Sequence, residues 1–99
     1  MRIAIMGAGG IGSYYGARLQ AGGADVTFIA RGEHLRAMRR DGLTVEDAAP
    51  LRLPKVSATD DPSSVEPVDI ALVCVKLKDT EAAGRAIKPI LKQGAAVIS

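Results

Sequence analysis

Three glycines at G-x-G-x-x-G spacing, one arginine and one lysine are the residues of this chain best placed to do chemistry. The glycines lie in Gly7-Ala8-Gly9-Gly10-Ile11-Gly12, directly after Ile3-Ala4-Ile5-Met6. Their spacing gives each a separate task. Gly7 lets the chain turn sharply out of a strand. Gly9 has no side chain, so a pyrophosphate can come close to the backbone. Gly12 lets the following helix pack tightly on the strand. The start of that helix aims unpaired N–H groups and a partial positive charge at phosphates. Residues 7–12, with Ala8, Gly10 and Ile11 contributing backbone, are therefore the candidate dinucleotide cradle. Alone, the hexapeptide is weak evidence in a chain with 11 glycines. It becomes specific when a strand precedes it, a helix follows and a second strand ends about 20 residues further on. The pattern here meets all three conditions, which argues against a plain strand–turn–helix corner.

The arginine concerns which nucleotide such a cradle would take. Sites for NAD or FAD usually keep a carboxylate at the end of the second strand, on the ribose hydroxyls. Here that place is Ala30-Arg31, and Asp25 stands at the wrong end of the strand. A carboxylate would repel a 2′-phosphate, whereas a guanidinium can grip it with paired, charge-assisted bonds. Arg31 points to NADP(H), the alternative being a solvated surface arginine. The missing acid also weighs against FAD and S-adenosylmethionine.

The lysine is Lys76, where Val73-Cys74-Val75 should bring a strand to the same crevice. It either faces nicotinamide, ribose or a substrate carboxylate, or lays its stem on the surface with its head in water. Position alone does not choose. Lys78 and His34 read as surface residues, and Cys74 as a small core hydrophobe. Of Tyr14 and Tyr15, one is expected to pack and the other to reach the surface.

The positioning elements follow from hydrophobic pattern. Strand one is residues 2–6, and a helix runs from about Ile11 to Ala21, with Gly16 one turn after Gly12 on the same face and Gly22-Gly23 as its stop. Residues 25–30 form strand two, and Glu33–Arg40 a helix with Leu35 and Met38 as its apolar stripe. Leu43–Val45 and Leu51–Leu53 suggest a small hairpin at the sheet edge. Lys55–Thr59 is a third sheet strand, residues 60–64 a loop or single helical turn, and Val68–Val75 the most apolar strand. Asp79 and Thr80 are good caps for a helix whose face is Ala83, Ile87, Ile90 and Leu91. Pro89 should kink that helix and Gly94 end it, before a last strand from Ala95. Alternating strand and helix means an α/β, Rossmann-like open parallel sheet with helices on both faces, in the order 3-2-1-4-5. Its crevice lies at the carboxyl ends of strands one and four.

Composition limits the function classes. With 99 residues the chain is one domain or most of one, and 47% hydrophobic content makes it globular. A net charge of +2 with scattered signs offers no basic stripe for nucleic acid. One cysteine allows neither a disulfide framework nor a zinc cluster within the chain. No run approaches the roughly 20 apolar residues of a membrane span. The first strand begins at once, without a signal peptide, so the expected location is cytoplasmic.

Taken together, the segments Gly7 to Gly16, Ala30-Arg31-Gly32-Glu33-His34-Leu35, Asp41-Gly42-Leu43, and Val68-Asp69 leading to Val75-Lys76 resemble the ketopantoate reductases. These are NADPH-dependent 2-dehydropantoate 2-reductases of pantothenate biosynthesis. The resemblance covers essentially the whole chain. It implies that Gly7, Gly9 and Gly12 cradle the pyrophosphate, that Arg31 binds the 2′-phosphate and that Lys76 lies beside the cofactor near the active site. It also implies a 2-oxo-acid substrate and a carboxyl-terminal helical domain carrying the catalytic lysine and a substrate-binding glutamate. On this reading residues 1–99 are an incomplete NADP-binding Rossmann domain, inactive alone, without that second domain. A chain ending at Ser99 would expose a sheet edge and an apolar face, favouring self-association, with a homodimer among the forms allowed. The competing readings are a related 2-oxo-acid reductase and a non-catalytic NADP-sensing module.

Overall fold

The structure is a computed structural model that describes residues 1–7, 10–46, 49–74 and 91–98. Its elements in chain order are β1 (Arg2–Met6), α1 (Gly10–Ala21), β2 (Asp25–Ile29), α2 (Gly32–Asp41), β3 (Leu43–Val45), β4 (Leu51–Leu53), β5 (Ser57–Thr59), a 3-10 turn (Pro62–Ser64), β6 (Val68–Val73) and β7 (Leu91–Ile98). Five strands form one sheet in the order β5-β2-β1-β6-β7, every pair parallel. This is the expected Rossmann-like α/β arrangement. The chain works outward from β1 through β2 to β5, then returns to β6 on the other side of β1.

Side chains in a strand alternate between faces, so the apolar runs separate into two layers. Ala4, Met6, Ile29, Ala71 and Val73 share one buried cluster, with Val65 against it. Ile3, Ile5, Val26 and Phe28 share the other with Met38 of α2. Ile5, Phe28, Met38 and Val68 are fully buried, each worth roughly 1.5–3 kcal/mol of hydrophobic stabilisation. Both described helices lie on the second of these faces. The helix expected on the other face falls mostly on residues outside those described.

The end of α1 shows how local sequence sets direction. Gly23 takes φ 105°, and the N–H groups of Gly23 and Ala24 bond back to Gln20 and Leu19 at 3.0 and 3.1 Å. This pattern satisfies the last carbonyls and turns the chain into β2. Leu35 and Met38 are the buried stripe of α2, as its spacing required. Pro62–Ser64 is the single turn foreseen, with the Asp61 carboxylate accepting from the Ser63 N–H at 3.0 Å.

Two expectations need correction. The antiparallel pair β3–β4 does not sit at the edge of the main sheet; it is a separate two-stranded sheet packed against α1. Arg18 bonds to the Ala49 carbonyl and Gln20 to that of Lys55 at 3.1 Å, which pins the hairpin to the helix. The last strand starts at Leu91 rather than Ala95, so Gly94 is not a helix stop and Leu91 is not helical. The pairing shifts between Val68↔Leu91 and Ile70↔Ala96. That irregularity carries the polar stretch Lys92-Gln93-Gly94 inside the strand.

Candidate functional site

The site is built at the carboxyl ends of β1, β2 and β6, which the pairing brings level. Met6 stands opposite both Ile29 and Val73. Gly7 leaves β1 at φ 81°, a conformation that side chains resist, and its N–H bonds to the Ile29 carbonyl at 3.1 Å. The turn is thus tied to the end of β2. Ala8 and Gly9 lie outside the described residues, and α1 begins at Gly10.

Gly12 has the packing task its spacing predicted. A Cβ there would stand 2.7 Å from the Gly7 carbonyl oxygen, 3.2 Å from Cγ2 of Ile5 and 3.4 Å from Cβ of Cys74. One turn on, a Cβ on Gly16 would lie 2.3 Å from the Phe28 ring. The two bare positions bring α1 down onto β1 and β2, with its first turn over the crevice. N–H groups of a first helical turn have no intrahelical partners, so they are available to an anion.

Arg31 comes two residues after Ile29 as the N-cap residue of α2, in extended conformation at φ −148° and ψ 168°. It is exposed and, among the described residues, makes no side-chain hydrogen bond or ion pair. Its neighbours on α2 are engaged: Arg36 with Glu33 at 2.8 Å, Arg39 with the Ala58 carbonyl at 3.0 Å, and Arg40 with Asp41 at 2.9 Å. Arg31 thus offers a free guanidinium beside the positive end of a helix. Asp25 is at the other end of the sheet, as expected, 3.3 Å from Nε of Arg2. Asp69 is there too, accepting from the Arg2 backbone N–H at 2.8 Å. The Val68-Asp69 segment therefore meets the start of β1, away from the crevice.

Gly32 was not singled out from sequence. It takes φ 65° with open space around it, turning the chain into α2 directly behind Arg31. A glycine at the first helical position after the arginine was the available signal. Tyr14 and Tyr15 correct another expectation, because both are exposed, at 39% and 57%. Buried Gly12, Gly16 and Ala17 take the sheet-facing side of α1, leaving the rings outward. Their centroids lie 5.4 Å apart with the rings tilted at 44°, and Arg18 sits over Tyr14 at 5.5 Å. His34 is exposed, as read.

Cys74 is half-buried beside Gly12, and its N–H extends the sheet to the Met6 carbonyl at 2.8 Å. Burial pushes its thiol pKa up, away from the nucleophilic thiolate form. Lys76 and Lys78 lie outside the described residues. Among the described residues there is no cluster of His, Cys, Asp and Glu able to hold a metal, and no helix long and apolar enough to cross a membrane. The cradle at Gly12, where any Cβ would collide with backbone, and the free cation at Arg31 fit a phosphate-bearing dinucleotide.

Comparison with known proteins agrees with this geometry. Residues 3–99 match the family model described as ketopantoate reductase PanE/ApbA. A 2-dehydropantoate 2-reductase of Halobacterium salinarum is 39% identical over 89 residues, covering 88% of this chain and 29% of the relative. The crystal structure of a PanE/ApbA family ketopantoate reductase from Ralstonia eutropha JMP134 superposes with a TM-score of 0.90 at 45% identity, covering all of this chain and 33% of the other. A D-mandelate dehydrogenase in ternary complex with NADH and anilino(oxo)acetate superposes with a TM-score of 0.85 at 26% identity, covering 98% of this chain and 32% of the other. The chain therefore spans about a third of the length of the relatives it matches. The glycine turn, the open parallel sheet and these matches together make the chain a member of the ketopantoate reductase family of Rossmann-type oxidoreductases.

Proposed function

We propose that this chain is the cofactor-binding part of an NADPH-dependent 2-dehydropantoate 2-reductase. The observation that carries the cofactor choice is the unpaired Arg31 guanidinium at the carboxyl end of β2, with no acid bonded to it among the described residues. In this reading Gly7, Gly12 and the first turn of α1 hold the pyrophosphate, and Arg31 holds the 2′-phosphate. When bound, the cofactor supplies a hydride to the ketone carbon of a 2-oxo acid. This chain binds and orients the adenosine and pyrophosphate end. The family resemblance assigns Lys76, three residues after Val73 in the sequence, to the cofactor; its position lies outside the described residues. The group that protonates the new alkoxide belongs to another part of the protein.

A second reading has one specific observation behind it. The D-mandelate dehydrogenase similar in fold was solved with NADH. A relative acting on another 2-oxo acid with NADH would keep the same glycine turn and make no use of Arg31. Titration of the intact protein with NADPH and NADH decides. With Arg31 in its proposed role, Arg31→Ala raises the NADPH Kd about 10- to 100-fold, the loss of one or more charge-assisted hydrogen bonds. The NADH Kd should stay within about twofold, because NADH carries no 2′-phosphate for Arg31 to hold. Equal losses for both, or no preference for NADPH in the unaltered protein, would overturn the assignment. Comparing turnover of ketopantoate with that of bulkier 2-oxo acids tests the substrate.

A further inference from the structure

We propose that the Phe28 ring, seated in the space left by Gly16, is a spacer that sets the distance between the first turn of α1 and Arg31. Phe28 thereby acts as a positioning residue for the choice between dinucleotides with and without a 2′-phosphate. The inference rests on the dinucleotide reading above and deepens it.

The contact is tight. A Cβ on Gly16 would lie 2.3 Å from Cε1 and 2.6 Å from Cζ of Phe28, and 3.1 Å from Cγ1 of Ile5. Real Cβ contacts essentially stop at 3.0 Å and ordinary contact begins at 3.4 Å, so a methyl group 2.3 Å from the ring forces helix or ring to give by about 0.7 to 1.1 Å. The ring is enclosed by other core side chains. Phe28 is fully buried and packs with Ile3, Ile5, Val26 and Met38. Its strand is fixed on both sides, paired to Ile5 of β1 and Ala58 of β5. The end of that strand is fixed too, by the Gly7 N–H on the Ile29 carbonyl and the Ala30 N–H on the Thr59 carbonyl at 3.0 Å. The helix α1 is the element that yields.

That asymmetry matters because the two anion grips sit on different elements. The first turn of α1 faces the pyrophosphate, and Arg31 follows Phe28 by three residues, two beyond the end of the paired strand β2 and at the N-cap of α2. A ligand carrying both phosphate groups must satisfy both grips at once, whereas one without the 2′-phosphate needs only the first. It can follow α1 as α1 moves. Displacing the helix therefore penalises the phosphorylated cofactor selectively.

The test is to measure Kd for NADPH and NADH in the intact protein and in Gly16→Ala, Phe28→Leu and the double variant. Far-UV circular dichroism and melting are recorded alongside. Gly16→Ala should lower the NADPH-over-NADH preference about tenfold, and Phe28→Leu several-fold as α1 settles inward, the scale expected for misplacing a binding group by about 1 Å. The double variant, whose new methyl group occupies space vacated by the ring, should return to within about threefold of the original preference. A preference unaltered in Gly16→Ala, with both affinities falling equally, makes the contact packing alone and overturns the proposal. Should Gly16→Ala fail to fold, an unaltered preference in Phe28→Leu overturns it equally. Absence of any NADPH preference in the unaltered protein would remove the functional reading as well. A preserved preference in the unaltered protein with unresponsive variants would remove only this inference.

Discussion

Gly42→Ala should be among the most damaging small substitutions in this chain, and the structure separates its cost into two parts. Gly42 ends α2 at φ 75° and ψ −149°, backbone territory held almost only by glycine. Forcing another residue there costs about 1–3 kcal/mol. The second part is steric. A Cβ on Gly42 would stand 2.0 Å from the Leu53 carbonyl oxygen and 2.7 and 2.8 Å from the carbonyl carbon and oxygen of Pro54. All three atoms are backbone, so no rotamer change relieves the clash. The crossing strand must move by more than an ångström, and Leu53 is the partner of Leu43 in the β3–β4 ladder. Overpacking of this kind adds about 1–3 kcal/mol. Gly23→Ala is the matched control. Gly23 has φ 105° but nothing within 4 Å of its would-be Cβ, so it bears the conformational cost alone. Thermal melts of both variants measure the difference. If the steric part is near 2 kcal/mol, Gly42→Ala should melt lower than Gly23→Ala by on the order of 8 °C or more for a domain of this size. Limited proteolysis should then cut first within residues 43–53. Equal melting temperatures would refute the claim that the Leu53–Pro54 backbone closes over Gly42.

Two further outcomes concern titration and reactivity. The Arg40 guanidinium, bonded to Asp41, holds the Asp41 carboxyl below its ordinary pKa. A depressed folded-state pKa gives stability that is present above the unfolded value and lost as pH falls through the folded one. Because the pair is fully exposed, added salt should weaken it, and Arg40→Gln should raise the Asp41 pKa seen by carboxyl NMR; an unmoved titration would show the pair to be idle in solution. Cys74, its thiol pKa raised by burial, should react with iodoacetamide at pH 8 at least about tenfold more slowly in the folded protein than in urea; equal rates would mean that the fold does not shield the thiol beside Gly12.

Much of the candidate site's geometry was legible because it depends on what is missing. Glycine spacing predicts close approach wherever a side chain would block it, and Gly12 against the Gly7 carbonyl is that case. The position of Arg31 was legible because strand two announces its own end: the β-branched and aromatic run stops at Ile29, and Arg31 follows two residues later. The hairpin was not placeable, since strands of three residues carry too little pattern to say which surface they join. Its docking depends on Arg18 and Gln20 reaching two backbone carbonyls, and no local propensity encodes such a contact. The start of β7 was hidden for a different reason. Leu91 falls in phase with a helical face, while Lys92-Gln93-Gly94 resembles a loop, and only the irregular pairing with β6 makes that stretch a strand. Phe28 is the most instructive omission. As one aromatic in a buried strand it reads as ordinary core, and its geometric role exists only in relation to Gly16, twelve residues earlier on another element. Absent side chains can be located from sequence alone, but the residue that fills the space they leave is fixed by pairing register, and register sets how far apart the two ends of the site stand.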